Sequence, residues 1–219
     1  MVEAFGGRTL MTSSAGANST AADSVRSPHA LASLTADPGA DRARAEAAVG
    51  ELLAALGQDP DGEHLIDTPR RVVDGLIELL TPEPFALTTF ANDGGYSELV
   101  LVRDIPFTSL CEHHMLPFRG IAHVGYVPSE RIVGLSKLAR VVDWFARGLQ
   151  VQERLTAQIA DHLERHLDPL GVGVALEAEH MCMSIRGVRA GGATTVTSAF
   201  RGDIARDPAL RVQFSSGAR

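Results

Sequence analysis

An α+β fold, with helices on one face of an antiparallel sheet and a helical extension ahead of it, is predicted by three features of the sequence. Two strand-like runs follow one another directly, at Leu99-Val100-Leu101-Val102 and from Gly120 to Val127. Two helical repeats come next, opening near Ser136 and near Gln152. Two further period-two runs, around Val174 and from Ala193 to Phe200, complete the order. Strand, strand, helix, helix, strand, strand is not the strict alternation that builds a parallel sheet, so antiparallel pairing is expected.

Residues 1–40 are rich in Ala, Ser, Thr and Gly and lack a sustained apolar period. Such a segment buries too little to offset its ordering entropy, and disorder is expected there. An organelle transit peptide is the other use of this composition, but Glu3, Asp23 and Asp37 and the scarcity of arginine argue against it. Residues 41–96 read as the helical extension. Val49, Leu52, Leu53 and Leu56 fall at helical spacing, and Gly57 follows as a stop. Thr68-Pro69 supplies an N-cap oxygen and a proline at the first helical position. Val72, Val73, Leu76, Ile77 and Leu80 then form a stripe that ends at Thr81-Pro82. This second helix starts with Arg70 and Arg71, cations at its positive end. They are either solvated surface charges or the mark of an anion bound there.

Residues 97–203 read as the main domain. The strand from Leu99 runs toward Pro106, and the stretch Leu110-Cys111-Glu112-His113-His114-Met115-Leu116-Pro117 lies in the connection to the next strand. Gly134-Leu135-Ser136-Lys137 opens a helix with Leu138, Val141, Val142 and Phe145 inward, and Ser136 is its natural N-cap. Val151, Leu155, Ile159, Leu163 and Leu167 share one face of the second helix, which ends before Pro169. In the strand that follows, Val174, Leu176, Ala178 and His180 share a face, and Cys182 extends it if the strand runs on. The last strand follows a Gly191-Gly192 turn. Residues 204–219 read as a polar tail short of apolar anchors.

Composition narrows the function. The chain has 219 residues, of which 45% are hydrophobic, enough for one substantial domain with extensions. Twenty Lys+Arg against 27 Asp+Glu leave a net charge of -7, which argues against a nucleic-acid or anionic-membrane partner. A phosphate site would have to be a local basic cluster. No run approaches the ~18 apolar residues of a membrane span, and no secretory signal is visible, so a cytoplasmic protein is expected. In that compartment two distant cysteines are metal ligands, reactive thiols or core residues rather than a disulfide.

Those two cysteines each have a histidine close by, in Cys111-Glu112-His113-His114 and in His180-Met181-Cys182-Met183. Cys111, His114 and Cys182 make a Cys₂His set, the three protein ligands of a catalytic zinc that keeps one position open. His113 competes for the metal, but neighbours on extended backbone point apart, which assigns one histidine to the metal and the other to proton transfer. Buried core cysteines with hydrogen-bonded loop histidines are the ordinary alternative. His180, on the face of Cys182, is a general acid/base candidate or a satisfied core residue. Lys137 at a helix start, Arg140 one turn on and Arg186 beyond Cys182 could meet a phosphate chain, though each alone also fits a surface charge. Glu153 could accept paired N–H donors, as from a guanine edge, or simply be a favourable first-turn acid. These residues suggest a zinc enzyme acting on an anionic substrate.

At these positions the sequence resembles GTP cyclohydrolase I. The likeness rests on Ser109-Leu110-Cys111-Glu112-His113-His114-Met115-Leu116-Pro117-Phe118, Gly134-Leu135-Ser136-Lys137-Leu138, Gln150-Val151-Gln152-Glu153-Arg154-Leu155-Thr156, His180-Met181-Cys182-Met183 and Arg186-Gly187-Val188. With Thr68-Pro69-Arg70-Arg71 it spans about residues 45–203. The resemblance implies the tunnelling fold, a toroidal homodecamer with active sites between subunits, and one Zn2+ per subunit on Cys111, His114 and Cys182. It implies hydrolytic opening of the GTP purine at C8, release of formate and rearrangement to 7,8-dihydroneopterin triphosphate, the entry to tetrahydrofolate biosynthesis. His180 would protonate the ring nitrogen, His113 would assist proton transfers and Ser136 would serve the ribose step. Glu153 and Gln152 would hold the guanine, and Lys137, Arg140, Arg186 and Arg71 the triphosphate, with Arg71 reaching in from a neighbouring subunit. The sequence departs from many members at Arg147-Gly148-Leu149, where two basic residues are usual, and in a C-terminus that does not read as an apolar helix. A nucleoside deaminase is disfavoured because its Pro-Cys-x-x-Cys pattern is missing, and a purely structural zinc module because no fourth ligand is evident.

Overall fold

The computed structural model describes residues 38–218. The disorder expected for residues 1–40 therefore lies outside the described residues, apart from 38–40, which open a helix. In chain order the elements are α1 (Pro38–Ala55), α2 (Thr68–Leu80), β1 (Thr89–Ala91), β2 (Val100–Cys111), β3 (Pro117–Val127), β4 (Arg131–Val133) and α3 (Leu135–Ala146). They continue with β5 (Leu149–Gln150), α4 (Gln152–Leu167), β6 (Gly171–His180), α5 (Met181–Ser184), β7 (Thr194–Arg201), α6 (Gly202–Arg206) and α7 (Pro208–Gly217). The architecture is α+β. A five-stranded sheet runs β5-β2-β3-β6-β7, antiparallel except for the short parallel pair of β2 with β5, and β1 pairs with β4 in a separate ribbon.

One irregularity in β2 decides which face the site occupies. Val102 pairs with Val124 and Ile105 with Ala122, so three residues of β2 advance against two of β3, and Asp104 takes a left-handed φ of 56° at the bulge. A one-residue bulge exchanges the faces of everything beyond it. Before it, Val100 and Val102 pack against the core under the helices; after it, Ile105, Phe107 and Cys111 do. Without the extra residue Cys111 would face the other side of the sheet.

Helices α3 and α4 cover that core face. Leu138, Val141, Val142 and Phe145 of α3, and Leu155, Ile159, Leu163 and Leu167 of α4, are all buried, as their spacing predicts. The opposite face corrects the expectation of helices on one side only. Ile204 and Phe214 are buried with Val127, and Ala175, Phe200 and Leu210 pack beside them. The chain's end is thus an anchored pair of helices rather than a polar tail. Asp207 caps α7 by accepting from the Ala209 N–H at 2.8 Å. A β-carbon on Gly173 would meet the Phe214 ring at 2.8 Å, so glycine there makes room for the anchor.

Three local expectations shift. The α2 N-cap is Asp67, not Thr68, and the α3 N-cap is Gly134, with no side-chain cap at either. Asp67 also answers the cationic start of α2, since its carboxylate lies 2.9 Å from Arg71 and 3.8 Å from Arg70. Gly148 adopts φ 142° between α3 and β5, so the departure from paired basic residues at this turn fits the backbone found there.

Candidate active site

Cys111 ends β2, and a tight turn follows it. Its carbonyl accepts from the N–H groups of Met115 at 2.8 Å and His114 at 3.3 Å, its own N–H donates to the Leu116 carbonyl at 2.9 Å, and Met115 has φ 53°. The turn is tied to the start of α4: the Glu112 N–H donates to the Gln150 carbonyl at 3.0 Å, and Arg154 donates to the Glu112 carboxylate at 2.6 Å. Arg154 also donates to the Gln150 side chain at 3.0 Å and the Leu149 carbonyl at 2.8 Å. A segment carrying two histidines and a cysteine is thereby held from both ends.

Cys182 does not continue β6 as expected. The strand stops at His180, and the single helical turn α5 carries Cys182 back over the sheet. It arrives beside the other two predicted ligands: one donor atom each from Cys111, His114 and Cys182 lie within 4.8 Å of one another. The Cys111 Sγ to His114 Nδ1 separation is 3.8 Å. A tetrahedral centre with metal–sulfur bonds of ~2.3 Å and metal–nitrogen bonds of ~2.0 Å needs donor separations of roughly 3.5–3.8 Å, so the set is within a small closure of that geometry. Both thiols are free. Burial pushes the Cys182 thiol above its ordinary range, and Cys111 pushes it further. A cation between two crowded thiols reverses that penalty by binding both as thiolates. The group is thus chemically suited to a soft divalent metal.

The extended-backbone reason for separating the two histidines does not hold, because residues 112–114 form a turn. His113 Nδ1 also lies 3.8 Å from Cys111 Sγ. What distinguishes the pair is the third ligand, since among the described residues only His114 closes a three-member group with both cysteines. His113 is well exposed, with its Nε2 3.9 Å from Glu112.

His180 pairs in register with Phe118 across β3 and β6, and the rings stack at 4.6 Å with planes 3° apart. Its Nε2 is 2.8 Å from the Gln152 Oε1. Burial lowers its pKa from the ordinary imidazole value, and the nearby Glu153 carboxylate draws it part of the way back. Glu153, the second residue of α4, is exposed beside it. Gln152 is different: it is 1% exposed, and its amide is taken up by protein groups, so its side chain is not free to hold a ligand as expected.

The remaining predicted residues lie elsewhere in the chain. Arg186 follows α5 and is near enough to stabilise the Cys182 thiolate. Ser136 and Lys137 are at the far end of α3 from the cysteines: Ala146, at the near end, accepts from Ser109 at 2.6 Å. Ten residues of helix at ~1.5 Å each put Ser136 about 15 Å along the axis from that end. Arg140 is exposed part of the way along, and Arg71 is exposed at the start of α2. The fold therefore gathers Cys111, His114, Cys182, His113, His180, Glu153 and Arg186, and sets Ser136 and Lys137 at the other end of α3. Phe118 and Arg154 stand in the quoted motifs, but their work of stacking and clamping depends on register across the sheet, which sequence spacing does not reveal.

A family profile described as GTP cyclohydrolase I matches residues 45–219. A relative named GTP cyclohydrolase 1 from Mycolicibacterium gilvum (strain PYR-GCK) is 54% identical over 194 residues, covering 86% of this chain and 96% of the relative. One of the same name from Streptomyces griseus subsp. griseus is 56% identical over 183 residues, covering 80% and 90% of the two chains. The match runs through the C-terminal helices, beyond the limit of about residue 203 expected from motifs alone.

Proposed function

The chain belongs to the GTP cyclohydrolase I family and is an enzyme of that activity, and from this premise we propose how its residues divide the work. The substrate is GTP, opened hydrolytically at purine C8 with loss of formate and rearranged to 7,8-dihydroneopterin triphosphate, the first step of tetrahydrofolate biosynthesis. The observation that carries the assignment is the convergence of Cys111, His114 and Cys182 from a strand end, a turn and a separate helical turn, with His180 two residues from Cys182.

Cys111, His114 and Cys182 would hold one Zn2+ per subunit. The chemistry that an ion there would supply is Lewis-acid activation of water. His180, held on Phe118, passes a proton to the purine ring nitrogen as the purine is opened at C8. His113, exposed at the mouth of the turn, serves the later proton transfers that release formate. Glu153 accepts from the paired N–H donors of the guanine edge, and Arg186 meets the phosphates.

Ser136 serves the ribose and Lys137, Arg140 and Arg71 the triphosphate, with Arg71 reaching in from a neighbouring copy. A ring of such subunits in the tunnelling fold, a toroidal homodecamer, brings these residues together. Two features support assembly. Leu52, Leu56 and Ile66 of the extension are 57%, 68% and 59% exposed, and β7 is an open sheet edge. The described residues contain no helix long and apolar enough to cross a membrane. Two adjacent free thiols suit the reducing cytoplasm.

The test is turnover of GTP by zinc-loaded protein, read as formate and, after oxidation, a fluorescent pterin. Absence of both products from assembled protein overturns the reading. Cys182→Ala is expected to lose zinc together with turnover, and His180→Ala to lose turnover while keeping zinc. Equal zinc loss in the two variants contradicts the division of roles.

A further inference from the structure

We infer that Gln152 is a positioning residue that fixes the tautomer of His180, so that Nδ1 is the nitrogen through which this imidazole exchanges its proton with the substrate. This rests on the reading of His180 as the proton-transfer group, and it reassigns Gln152 from the substrate to the protein.

The argument begins with the orientation of the amide. Gln152 Nε2 lies 3.2 Å from the Leu176 carbonyl, 2.9 Å from the Thr195 carbonyl and 3.1 Å from Thr197 Oγ1. Main-chain carbonyls only accept, so the group facing them must be the NH₂. The flipped amide would bring Oε1 against two carbonyl oxygens in a site 1% exposed, with no hydrogen between them. A second set of contacts closes on the same answer. Thr156 Oγ1 donates to the Gln152 carbonyl at 2.7 Å and is 2.7 Å from Thr197 Oγ1. With the Thr156 hydrogen committed, Thr197 must donate to Thr156, and its remaining capacity accepts from Gln152 Nε2. The ring of donors and acceptors is complete in one sense only.

With the amide so fixed, the atom 2.8 Å from His180 Nε2 is an oxygen, Oε1. An oxygen without hydrogen holds Nε2 in its N–H form. In the neutral ring the lone pair is then on Nδ1. Stacking on Phe118 at 4.6 Å sets the plane of the ring, and the hydrogen bond sets its rotation within that plane. A proton taken up or delivered in turnover is therefore carried at Nδ1, while Nε2 keeps its hydrogen throughout. Gln152 opens α4 immediately before Glu153, so the residue proposed for the guanine edge and the residue that orients the imidazole are adjacent on one rigid helix start.

The test is long-range proton–nitrogen correlation on the zinc-loaded full chain labelled with ¹⁵N-histidine, at a pH where the ring is neutral, with His180→Asn to assign the signals. A protonated Nε2 and an unprotonated Nδ1 are expected. In Gln152→Met, similar in size but without the acceptor, the two nitrogens are expected to move toward averaged values. In the same variant kcat on GTP is expected to fall at least ~100-fold, with zinc content and KM held within about threefold, the loss a mispositioned acid/base group gives. A wild-type ring protonated at Nδ1 overturns the inference, and that measurement decides alone if Gln152→Met does not fold. A Gln152→Met protein that keeps the wild-type tautomer but raises KM also overturns it, by returning Gln152 to the substrate. Failure of the premise looks different: His180→Ala would then retain turnover, whatever the tautomer.

Discussion

Acid should weaken this fold through one histidine that has no part in the proposed chemistry. His162, on α4, is 2% exposed, stacks on His166 at 4.2 Å and meets Phe145 edge-on at 5.4 Å. Its Nε2 is buried without a hydrogen-bond partner. Burial, with smaller contributions from His166 and Arg165, lowers its pKa from 6.5 to about 4. The unfolded chain therefore binds a proton near pH 6.5 that the folded chain refuses until about pH 4. Stability from the neutral ring is complete above the unfolded value and is lost as pH falls through the window between the two. At roughly 1.4 kcal/mol per pH unit, the loss is about 2 kcal/mol at about pH 5 and approaches about 3 kcal/mol at the lower limit. The assay is urea unfolding near neutral pH and at about pH 5, at one protein concentration, for the wild type and for His162→Phe. Phenylalanine keeps an aromatic ring against Phe145 and His166 and forfeits no Nε2 hydrogen bond. Metal release and the titration of carboxylates affect both proteins alike, so the double difference isolates His162. The wild type should lose about 2 kcal/mol more than the variant on acidification. Equal losses would refute the reasoning.

Two further substitutions separate the site from its scaffold. Arg154→Met removes the clamp on Glu112, and because both partners are about one-third exposed it should cost under about 1 kcal/mol of stability. It should nevertheless weaken metal affinity roughly tenfold or more in a chelator competition, since the turn carrying two ligands loses its support; unchanged affinity would count against the clamp. Phe214→Ala empties the anchor of α7, which is 1% exposed, and should cost about 3–5 kcal/mol in urea unfolding. Metal content should be unchanged, because this anchor packs on the face of the sheet opposite the cysteines; a loss below about 1 kcal/mol would mean that α7 is not held by Phe214.

The main elements were legible because their patterns are strong and local. The α4 stripe Leu155, Ile159, Leu163 and Leu167 is buried throughout, and the period-two face of β6 carries His180 to the place expected. What was illegible depends on pairing. The Asp104 bulge carries no signal that separates it from ordinary strand, yet it sets the face of Cys111. The last helices were hidden for a related reason. Ile204, Leu210 and Phe214 are too sparse to mark an amphipathic helix, and Phe214 is buried where Gly173 leaves space on the sheet beneath.

The site was legible in its ligands and not in its supports, and the physics of each explains why. Metal ligands must be particular residue types, so two cysteines with nearby histidines announce themselves wherever they fall in the chain. A positioning residue has no such chemical signature. Gln152 is one amide among several, and only the carbonyls of Leu176 and Thr195, on two other strands, turn it into a fixed acceptor for His180. Ser136 and Lys137 pose a different limit. The run from Ser136 to the cysteine end of α3 is a rigid rod of about 15 Å, so the start of α3 is set apart from the cysteines of its own chain. If the motif at the start of α3 holds the ribose and phosphates, the metal end and the phosphate end of the substrate are spaced by the length of one helix, which no single motif in the sequence displays.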